Sequence, residues 1–277
     1  MLFSSFHALK RHTDFDPTDI NVLRHIILNC IRSYKKKLSA YPLEKIVIAC
    51  DSQNSWRREV FPYYKHSRKV DRSASGHDWT LVFRHFNEIK QEIKDRFAYI
   101  LIEIDRLEAD DVIAALAISL GNSAEKIIIV SADKDFSQLQ KYTNISQYDQ
   151  LRKRWIRETH PDLDLRTHII RGDATDGIPN ILSPDDCFVN KQRQRTITTS
   201  QLDEWISENN PQKMFSEQVN VNWCRNKLLI DLEQCSPVLH QKVLESYKSQ
   251  VNKKSNDLFG YFVQHKLKEL LPMIGEF

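Results

Sequence analysis

Residues 99–135, YILIEIDRLEADDVIAALAISLGNSAEKIIIVSADKD, hold two short apolar runs on either side of a longer segment. The runs at 99–103 and 126–131 are rich in isoleucine, which is typical of strands buried on both faces of a parallel sheet. Between them, residues 111–120 predict a helix that ends at Gly121 and Asn122. This order predicts a βαβ unit, and the apolar run at 45–50 predicts a further strand.

The character of the sequence changes at about residue 170. Before that point, residues 20–37 and 78–97 predict amphipathic helices. After it, glycines and prolines mark a turn-rich region, a polar stretch around residues 191–195 predicts a mobile loop, and helical patterns predominate from Leu202 onward. We therefore predict an α/β domain over residues 1–170 and a smaller helical domain over residues 171–277.

Composition excludes several classes of protein. The chain has 277 residues, 41% of them hydrophobic, with 40 basic and 37 acidic side chains and a net charge of +3. Its longest mostly apolar run is too short to cross a bilayer, and the start MLFSSFHALKRHTDFD becomes charged too early for a secretory signal. Five cysteines without a CxxC pair favour neither a disulfide framework nor a zinc cluster. These features predict a soluble protein of a reducing compartment, the cytoplasm.

Acidic residues recur where the predicted strands end. Asp51 follows the first strand, and Asp133 and Asp135 follow the third. The carboxyl ends of parallel strands meet at one edge of a sheet, where functional clefts form. Further acidic residues open the predicted helix and recur in the segment RGDATDGIP; they are Glu108, Asp110, Asp111, Asp173 and Asp176.

Taken one at a time, these acidic groups also fit helix caps and turns. Gathered at one edge, they would repel one another unless cations lay between them. Clusters of carboxylates alone suit Mg²⁺ or Mn²⁺ better than zinc, and such clusters commonly hold two ions that activate water against a phosphodiester.

A basic segment, RREVFPYYKHSRKVDR at residues 57–72, follows Asp51 closely. Basic side chains neutralise phosphates, and the interleaved aromatic residues suit stacking on unpaired bases. A solvated surface helix with a few buried aromatic residues is the alternative. The basic residues are Arg57, Arg58, Lys65, Arg68, Lys69 and Arg72.

Four blocks in order, CDSQNSWRREVFPYYKHSRK, EADDVIAALA, VSADKDFSQL and RGDATDGIP, resemble the 5′-nuclease (flap endonuclease) family over residues 20–180. The segments NVLRHIILN and NKLLIDLE resemble its subgroup of ribonucleases H from T-even-type bacteriophages. The resemblance implies a PIN-like parallel-sheet domain with a helical arch at about residues 56–80. A helical domain with a helix–three-turn–helix element that binds duplex DNA would follow.

The resemblance also implies a site with two Mg²⁺ ions, for which Mn²⁺ would substitute. Asp51, Glu108 and Asp110 would form the first metal group. Asp133, Asp135 and Asp176 would form the second, with Asp111 and Asp173 as outer ligands. Lys65 and Arg68 would act on the scissile phosphate, and the predicted catalytic set is Asp51, Asp110, Asp133, Asp135, Lys65 and Arg68.

Further basic residues would bind the nucleic acid. Arg57 and Arg58 lie at the base of the implied arch, and Lys69 and Arg72 lie within it. Lys191, Arg193 and Arg195 would contact the duplex.

The implied activity is that of a metal-dependent, structure-specific 5′-3′ nuclease, a phosphodiester hydrolase. It would act on 5′ ends and flaps of RNA/DNA or DNA/DNA duplexes and remove lagging-strand primers during phage replication in the host cytoplasm. The implied partners are branched or nicked duplexes, a single-stranded DNA-binding protein and a sliding clamp, with no membrane and a monomeric state. A PIN-type endoribonuclease is disfavoured by the segments 56–72 and 171–277. A DNA-junction-binding protein without turnover remains the alternative.

The sequence departs from the family pattern in two places. Members begin with a strand that ends in a metal-binding aspartate, whereas this chain opens MLFSSF without that strand or aspartate. We therefore expect weak activity and reduced stability from the chain as given. Members also carry a glycine-rich hairpin after RGDATDGIP, where only Gly172 and Gly177 remain here.

Overall fold

The computed structural model describes residues 18–68, 78–121, 123–208 and 210–277. The helices of this part of the chain are α1 (Ile20–Lys37), α2 (Trp56–Val60), α3 (Trp79–Arg96), α4 (Ala109–Leu120), α5 (Pro161–Arg171), α6 (Thr199–Ser207), α7 (Glu217–Ile230), α8 (Pro237–Gln250) and α9 (Leu258–Gln264). The strands are β1 (Val47–Ala49), β2 (Ile100–Ile102), β3 (Ile127–Val130), β4 (Ile145–Asp149) and β5 (Arg154–Ile156). Short 3₁₀ helices span Lys134–Lys141, Pro211–Met214, Leu232–Gln234 and Leu271–Glu276.

The chain folds into two compact units. The first comprises the described parts of Met1–Ala49, Gly76–Ile102 and Glu245–Phe277, and the second those of Cys50–Ser75 and Glu103–Leu244. The division into residues 1–170 and 171–277 stays a prediction. Within the described residues, no helix combines the length and the apolar character that crossing a bilayer requires.

The strands form two small sheets. In the first unit β1 and β2 are parallel, with Val47 opposite Ile100. In the second unit β3 is parallel to β4, and β5 is antiparallel to β4. The predicted strands and the helix between them are confirmed, but the predicted βαβ unit is wrong for the described residues, because β2 and β3 belong to different sheets. The apolar runs identified the strands but carried no information about their partners.

A buried ion pair joins three helices of the first unit. The guanidinium of Arg24 on α1 is 2% exposed and donates to both carboxylate oxygens of Glu92 on α3, each at 2.7 Å. The hydroxyl of Tyr261 on α9 donates to the same carboxylate at 2.7 Å. Because burial leaves these charges without water, each partner depends on the others for its hydrogen bonds.

The second unit has a core of aromatic and aliphatic side chains between α5, α6 and α7 and the segment that follows α2. Phe61, Tyr64, Ile170, Trp205 and Trp223 are among its buried members. Asn222 and Asn226 of α7 are buried as well. Their amide groups donate to backbone carbonyls of residues 169, 179, 181 and 183, and so fix the turns that follow α5.

The predicted helices over residues 20–37, 78–97 and 111–120 and the helical C-terminal part are confirmed within one to two residues at most ends. Strands β4 and β5 and helix α5 were not predicted. The polar stretch around Arg195 differs from the mobile loop that its composition indicates. Its backbone is held by hydrogen bonds to Asn180 and Ser183, both of which are buried.

Candidate active site

A cleft in the second unit is lined by acidic side chains. Asp110, Asp135, Asp173 and Asp176 border it, together with Tyr64. These residues come from four separate segments of the sequence, so the fold brings together most of the predicted acidic constellation.

The first acidic group surrounds the start of α4. Glu108 is the N-cap residue, and the carboxylate of Asp51 accepts a hydrogen bond of 2.8 Å from the backbone N–H of Ala109. Burial raises the pKa of Asp110 to about 7 against the opposing charge of Lys65. The negative charges of Asp133, Glu108 and Asp51 add to this rise. Without a cation beside it, Asp110 is therefore only partly ionised at neutral pH.

The second acidic group lies where β3 ends and where α5 turns back. Asp133 caps the 3₁₀ helix by accepting from the N–H of Asp135 at 3.0 Å. Burial raises the pKa of Asp135 to about 6, and the charge of His168 opposes this while Asp133, Asp173 and Asp176 add to it. The negative charge of Asp133 therefore raises the pKa of one carboxyl in each group, Asp110 and Asp135, and this interaction links the two groups into one cluster.

A tight loop sets the position of Asp173 and Asp176. Gly172 and Gly177 have φ values of 69° and 75°, and Asp173 forms an isolated antiparallel bridge with Ile178. A Cβ atom on Gly172 would stand 2.4 Å from the carbonyl oxygen of Ile178. Glycine is required there because both the backbone conformation and the space exclude a side chain.

His168, which the sequence pattern did not single out, lies between two of the acidic residues. Its Nδ1 is 3.4 Å from Asp135 Oδ1, and its Nε2 is 3.1 Å from Asp173 Oδ2. Burial alone would raise the pKa of Asp173, but the hydrogen bond and charge of His168 outweigh it, so that this pKa lies well below its usual range. The signal that could have found His168 is its position in the last turn of α5, three residues before the helix ends at Arg171 and five residues before Asp173.

Basic and hydroxyl groups face the acidic cluster. Lys65 Nζ lies 2.8 Å from Glu108 Oε1 and 3.7 Å from Asp176 Oδ2, and Arg68 Nη2 lies 2.6 Å from Asp176 Oδ1. The hydroxyl of Tyr64 lies between the same two carboxylates, 2.7 Å from Glu108 and 3.0 Å from Asp176. Burial alone would raise the pKa of Glu108, but the charges of Lys65 and Arg57 hold it below its ordinary value.

Two predicted site residues have a different environment from the one expected. Asp111 is fully buried, and its carboxylate pairs with the guanidinium of Arg57, which is 3% exposed. Asp111 also accepts from the N–H of Glu108 at 3.0 Å in a capping box. Because Arg57 is buried, it does not fit the predicted contact with nucleic acid. Because the carboxylate of Asp111 is paired with Arg57, it does not fit the predicted role of an outer metal ligand.

The remaining predicted basic residues lie at the surface or outside the described residues. Arg58, Lys191, Arg193 and Arg195 are exposed, as contact with a phosphate backbone requires. Lys69 and Arg72 fall outside the described residues.

The cleft suits divalent cations on the evidence of its own side chains. Carboxylates outnumber the cationic groups that face them, and two of them have a pKa raised by burial and by their neighbours' negative charge. Asp135 Oδ1 is buried and accepts no hydrogen bond from any described residue. One ligand atom each from Asp135, His168 and Asp173 lies within 4.8 Å of the others, which is a span that one ion can bridge.

Two family models cover the chain between them. Residues 1–162 match the 5′-3′ exonuclease N-terminal resolvase-like domain, and residues 159–277 match the C-terminal domain of T4 RNase H. Ribonuclease H of Enterobacteria phage T4 is 30% identical over 98% of this chain and 91% of its own length. The flap endonuclease Xni of Shewanella woodyi is 35% identical over 44% of this chain and 45% of its own length.

Solved structures with the same fold come from bacteriophage T5. The T5 5′-exonuclease with bound zinc ions has a TM-score of 0.60 at 15% identity, over 89% of this chain and 94% of its own. The T5 flap endonuclease in a pseudo-enzyme-product complex with DNA and metal ions has a TM-score of 0.57 at 15% identity, over 81% of this chain and 91% of its own. These likenesses confirm the α/β, PIN-like fold with a helical C-terminal part. The 5′-3′ exonuclease model matches more than half of the chain, and the T4 enzyme is related to nearly all of it. The chain therefore belongs to the 5′-3′ exonuclease family of nucleases.

Proposed function

We propose that the chain is a structure-specific 5′-3′ nuclease that hydrolyses phosphodiester bonds at 5′ ends and flaps of duplex nucleic acids. The observation that carries the proposal is the acidic cluster, in which Asp133 links two groups of carboxylates while Lys65 and Arg68 face them. Family membership supports the same activity.

We propose that the site holds two divalent ions, which are Mg²⁺ or, as its substitute, Mn²⁺. Asp51, Glu108 and Asp110 would hold one ion, and Asp133, Asp135 and Asp176 the other, with Asp173 nearby. Divalent cations in such a site activate water and stabilise charge on both the attacking and the leaving oxygen of the phosphodiester. The all-oxygen first group favours hard cations of this kind.

The chain's own basic residues would position the substrate. Arg68 is half-exposed and Lys65 is nearly buried, so their positive charges extend from the surface to the carboxylates. A phosphate that displaces the ion pairs of Lys65 and Arg68 would be held by these two residues while its scissile bond faces the acidic side chains. Tyr64 keeps Glu108 and Asp176 in a fixed relation to each other, because its hydroxyl lies within hydrogen-bond distance of both.

The exposed residues Lys191, Arg193 and Arg195 would bind the duplex behind the cleavage site. A nuclease of this kind would remove RNA primers or flaps from the lagging strand in the cytoplasm of a phage host. A single-stranded DNA-binding protein and a sliding clamp are the partners that we propose, and we propose a monomer.

The test is a comparison of substrates that share one sequence. A duplex with a 5′ flap, the same duplex with a bulky group on its 5′ end, an RNA/DNA hybrid and the single strand are incubated with the protein and Mg²⁺. We expect cutting at the flap junction or from the free 5′ end, and little cutting of the single strand. Equal cutting of all four substrates would show a nuclease without structure specificity, and binding without cutting would show a junction-binding protein.

A further inference from the structure

We propose that His168 supplies its Nδ1 as a nitrogen ligand to the ion of the second metal group, beside Asp135, and that this ligand makes that group prefer transition-metal ions to Mg²⁺. The inference rests on the proposed metal-dependent function and adds a determinant of metal preference to it.

The geometry places the imidazole among the ligands. Its two nitrogens lie 3.4 Å from Asp135 Oδ1 and 3.1 Å from Asp173 Oδ2. Two ligand atoms that each bind one ion at about 2.1 Å stand roughly 3.0–3.4 Å apart, depending on coordination geometry. One imidazole binds a given ion through one nitrogen only, so the 3.4 Å between Nδ1 and Asp135 Oδ1 is the separation that matches two neighbouring ligands, while Nε2 keeps Asp173 as its hydrogen-bond partner. One ligand atom from each of the three residues lies within 4.8 Å of the others.

The surroundings hold the ring in this position. His168 lies in the last turn of α5, its carbonyl accepts from the N–H of Gly172 at 2.8 Å, and its side chain is 14% exposed. The neighbouring residues Ile169 and Ile170 are buried in the core of the unit. When one ring nitrogen binds an ion, the other still faces a carboxylate, which is the arrangement that usually orients a metal-binding histidine.

The nitrogen ligand determines which ions the second metal group prefers. Imidazole suits zinc and other borderline transition metals, whereas Mg²⁺ favours oxygen ligands and water. The first group, with Asp51, Glu108 and Asp110, offers oxygen alone. The two halves of one acidic cluster would therefore differ in the ion that they prefer.

The test is electron spin-echo spectroscopy of the full chain with less than one equivalent of Mn²⁺, which detects a directly bound ¹⁴N nucleus. The wild type is compared with His168→Gln, and His160→Gln serves as the matched control, because His160 is exposed at the other end of the same helix. Competition by Mg²⁺ is measured on the same samples. Far-ultraviolet circular dichroism and thermal unfolding establish that each variant is folded, and His168→Asn replaces His168→Gln if the latter is not.

We expect nitrogen coupling in the wild type and in His160→Gln, and its loss in His168→Gln. The ratio of Mn²⁺ to Mg²⁺ affinity should fall by about tenfold or more in His168→Gln alone. Mn²⁺ binding without nitrogen coupling in the wild type would overturn the inference while leaving the metal-dependent nuclease intact. Failure of the wild type to bind Mn²⁺ at all, together with cleavage that needs no metal, would overturn both.

Discussion

The guanidinium of Arg57 and the carboxylate of Asp111 form a two-point ion pair inside the second unit, at 2.8 Å and 2.9 Å. Arg57 Nε also donates to the carbonyl oxygen of Leu229 at 2.9 Å, so the pair joins the start of α4 to the end of α7. Since Asp111 closes the capping box on Glu108, this ion pair holds the backbone from which the first acidic group projects.

Loss of Arg57 should therefore destabilise the fold. Arg57→Met leaves the buried charge of Asp111 without its partner, and we expect a loss of about 3–5 kcal/mol in the free energy of unfolding. Urea denaturation measures this, with Arg58→Met as the control, because Arg58 is exposed and should change stability by no more than about 0.5 kcal/mol. Equal effects of the two substitutions would contradict the structural role of Arg57.

The raised pKa of Asp110 predicts a pH-dependent stability of the metal-free protein. Folding favours the protonated form of this carboxyl. Its contribution to the free energy of unfolding is therefore fully present below its ordinary pKa and is lost as the pH rises to about 7. Metal-free Asp110→Asn should then unfold at a higher temperature than the wild type at pH 8, and the difference should shrink toward pH 4. Asp203→Asn, at an exposed position of α6, should show no such pH dependence. A wild type that is more stable at pH 8 than Asp110→Asn without metal would refute the assignment.

Lys65 should matter for the rate of cleavage. It faces Glu108 and Asp176 and would lie against the scissile phosphate, so its removal takes away charge from the reacting group. Lys65→Ala should lower the single-turnover cleavage rate by about 10²-fold. Lys213→Ala, at an exposed lysine of a 3₁₀ helix, is the control. A variant that loses duplex affinity but keeps its single-turnover rate at saturation would assign Lys65 to binding alone.

The loop after α5 should not tolerate a side chain at Gly172. Gly172→Ala meets a positive φ and a backbone carbonyl 2.4 Å away, so we expect a loss of at least about 1–2 kcal/mol in the free energy of unfolding. Gly275→Ala is the matched control, because its Cβ would meet open space. Chemical denaturation of both variants makes the comparison, and an unchanged stability in Gly172→Ala would mean that the loop has another conformation.

The exposed basic residues after the turn region should account for part of the salt dependence of DNA binding. Replacing Lys191, Arg193 and Arg195 by alanine should weaken duplex binding. The log–log slope of affinity against salt should flatten by about 0.9 for each phosphate that the variant no longer neutralises. Fluorescence anisotropy at several salt concentrations measures the slope. An unchanged slope would exclude these three residues from the interface.

Much of the fold was predictable from local pattern. The stripe of Leu23, Ile27 and Ile31 identified α1, because burial of one helix face leaves a periodic pattern. The continuous isoleucine runs identified β2 and β3. Strand β4, whose residues are of mixed polarity, was not predictable in this way, because its stability comes from its neighbours β3 and β5. Helix α5 was missed although Pro161 at its start and Gly172 after its end are the expected boundary residues.

The candidate site was predictable in outline and not in detail. Aspartates after strands and at a helix start pointed to a shared acidic site, and Asp110 and Asp135 do border one cleft. The sequence could not show that Arg57 pairs with Asp111. A basic residue among aromatic residues gives the same sequence pattern whether it contacts a phosphate or a buried carboxylate. The sequence also offered no reason to place His168 between Asp135 and Asp173, since that placement depends on how α5 packs against the 3₁₀ helix.

The central claim is that the acidic cleft performs metal-dependent hydrolysis. The most direct test is cleavage of a 5′-labelled flap duplex by the wild type and by the double variant Asp133→Asn with Asp135→Asn, each with Mg²⁺ and with EDTA, while duplex binding is measured in parallel. We predict that the wild type releases 5′ products only with the metal, and that the double variant binds the duplex without cutting it. Cleavage in EDTA, or a double variant as active as the wild type, would contradict this account of the site.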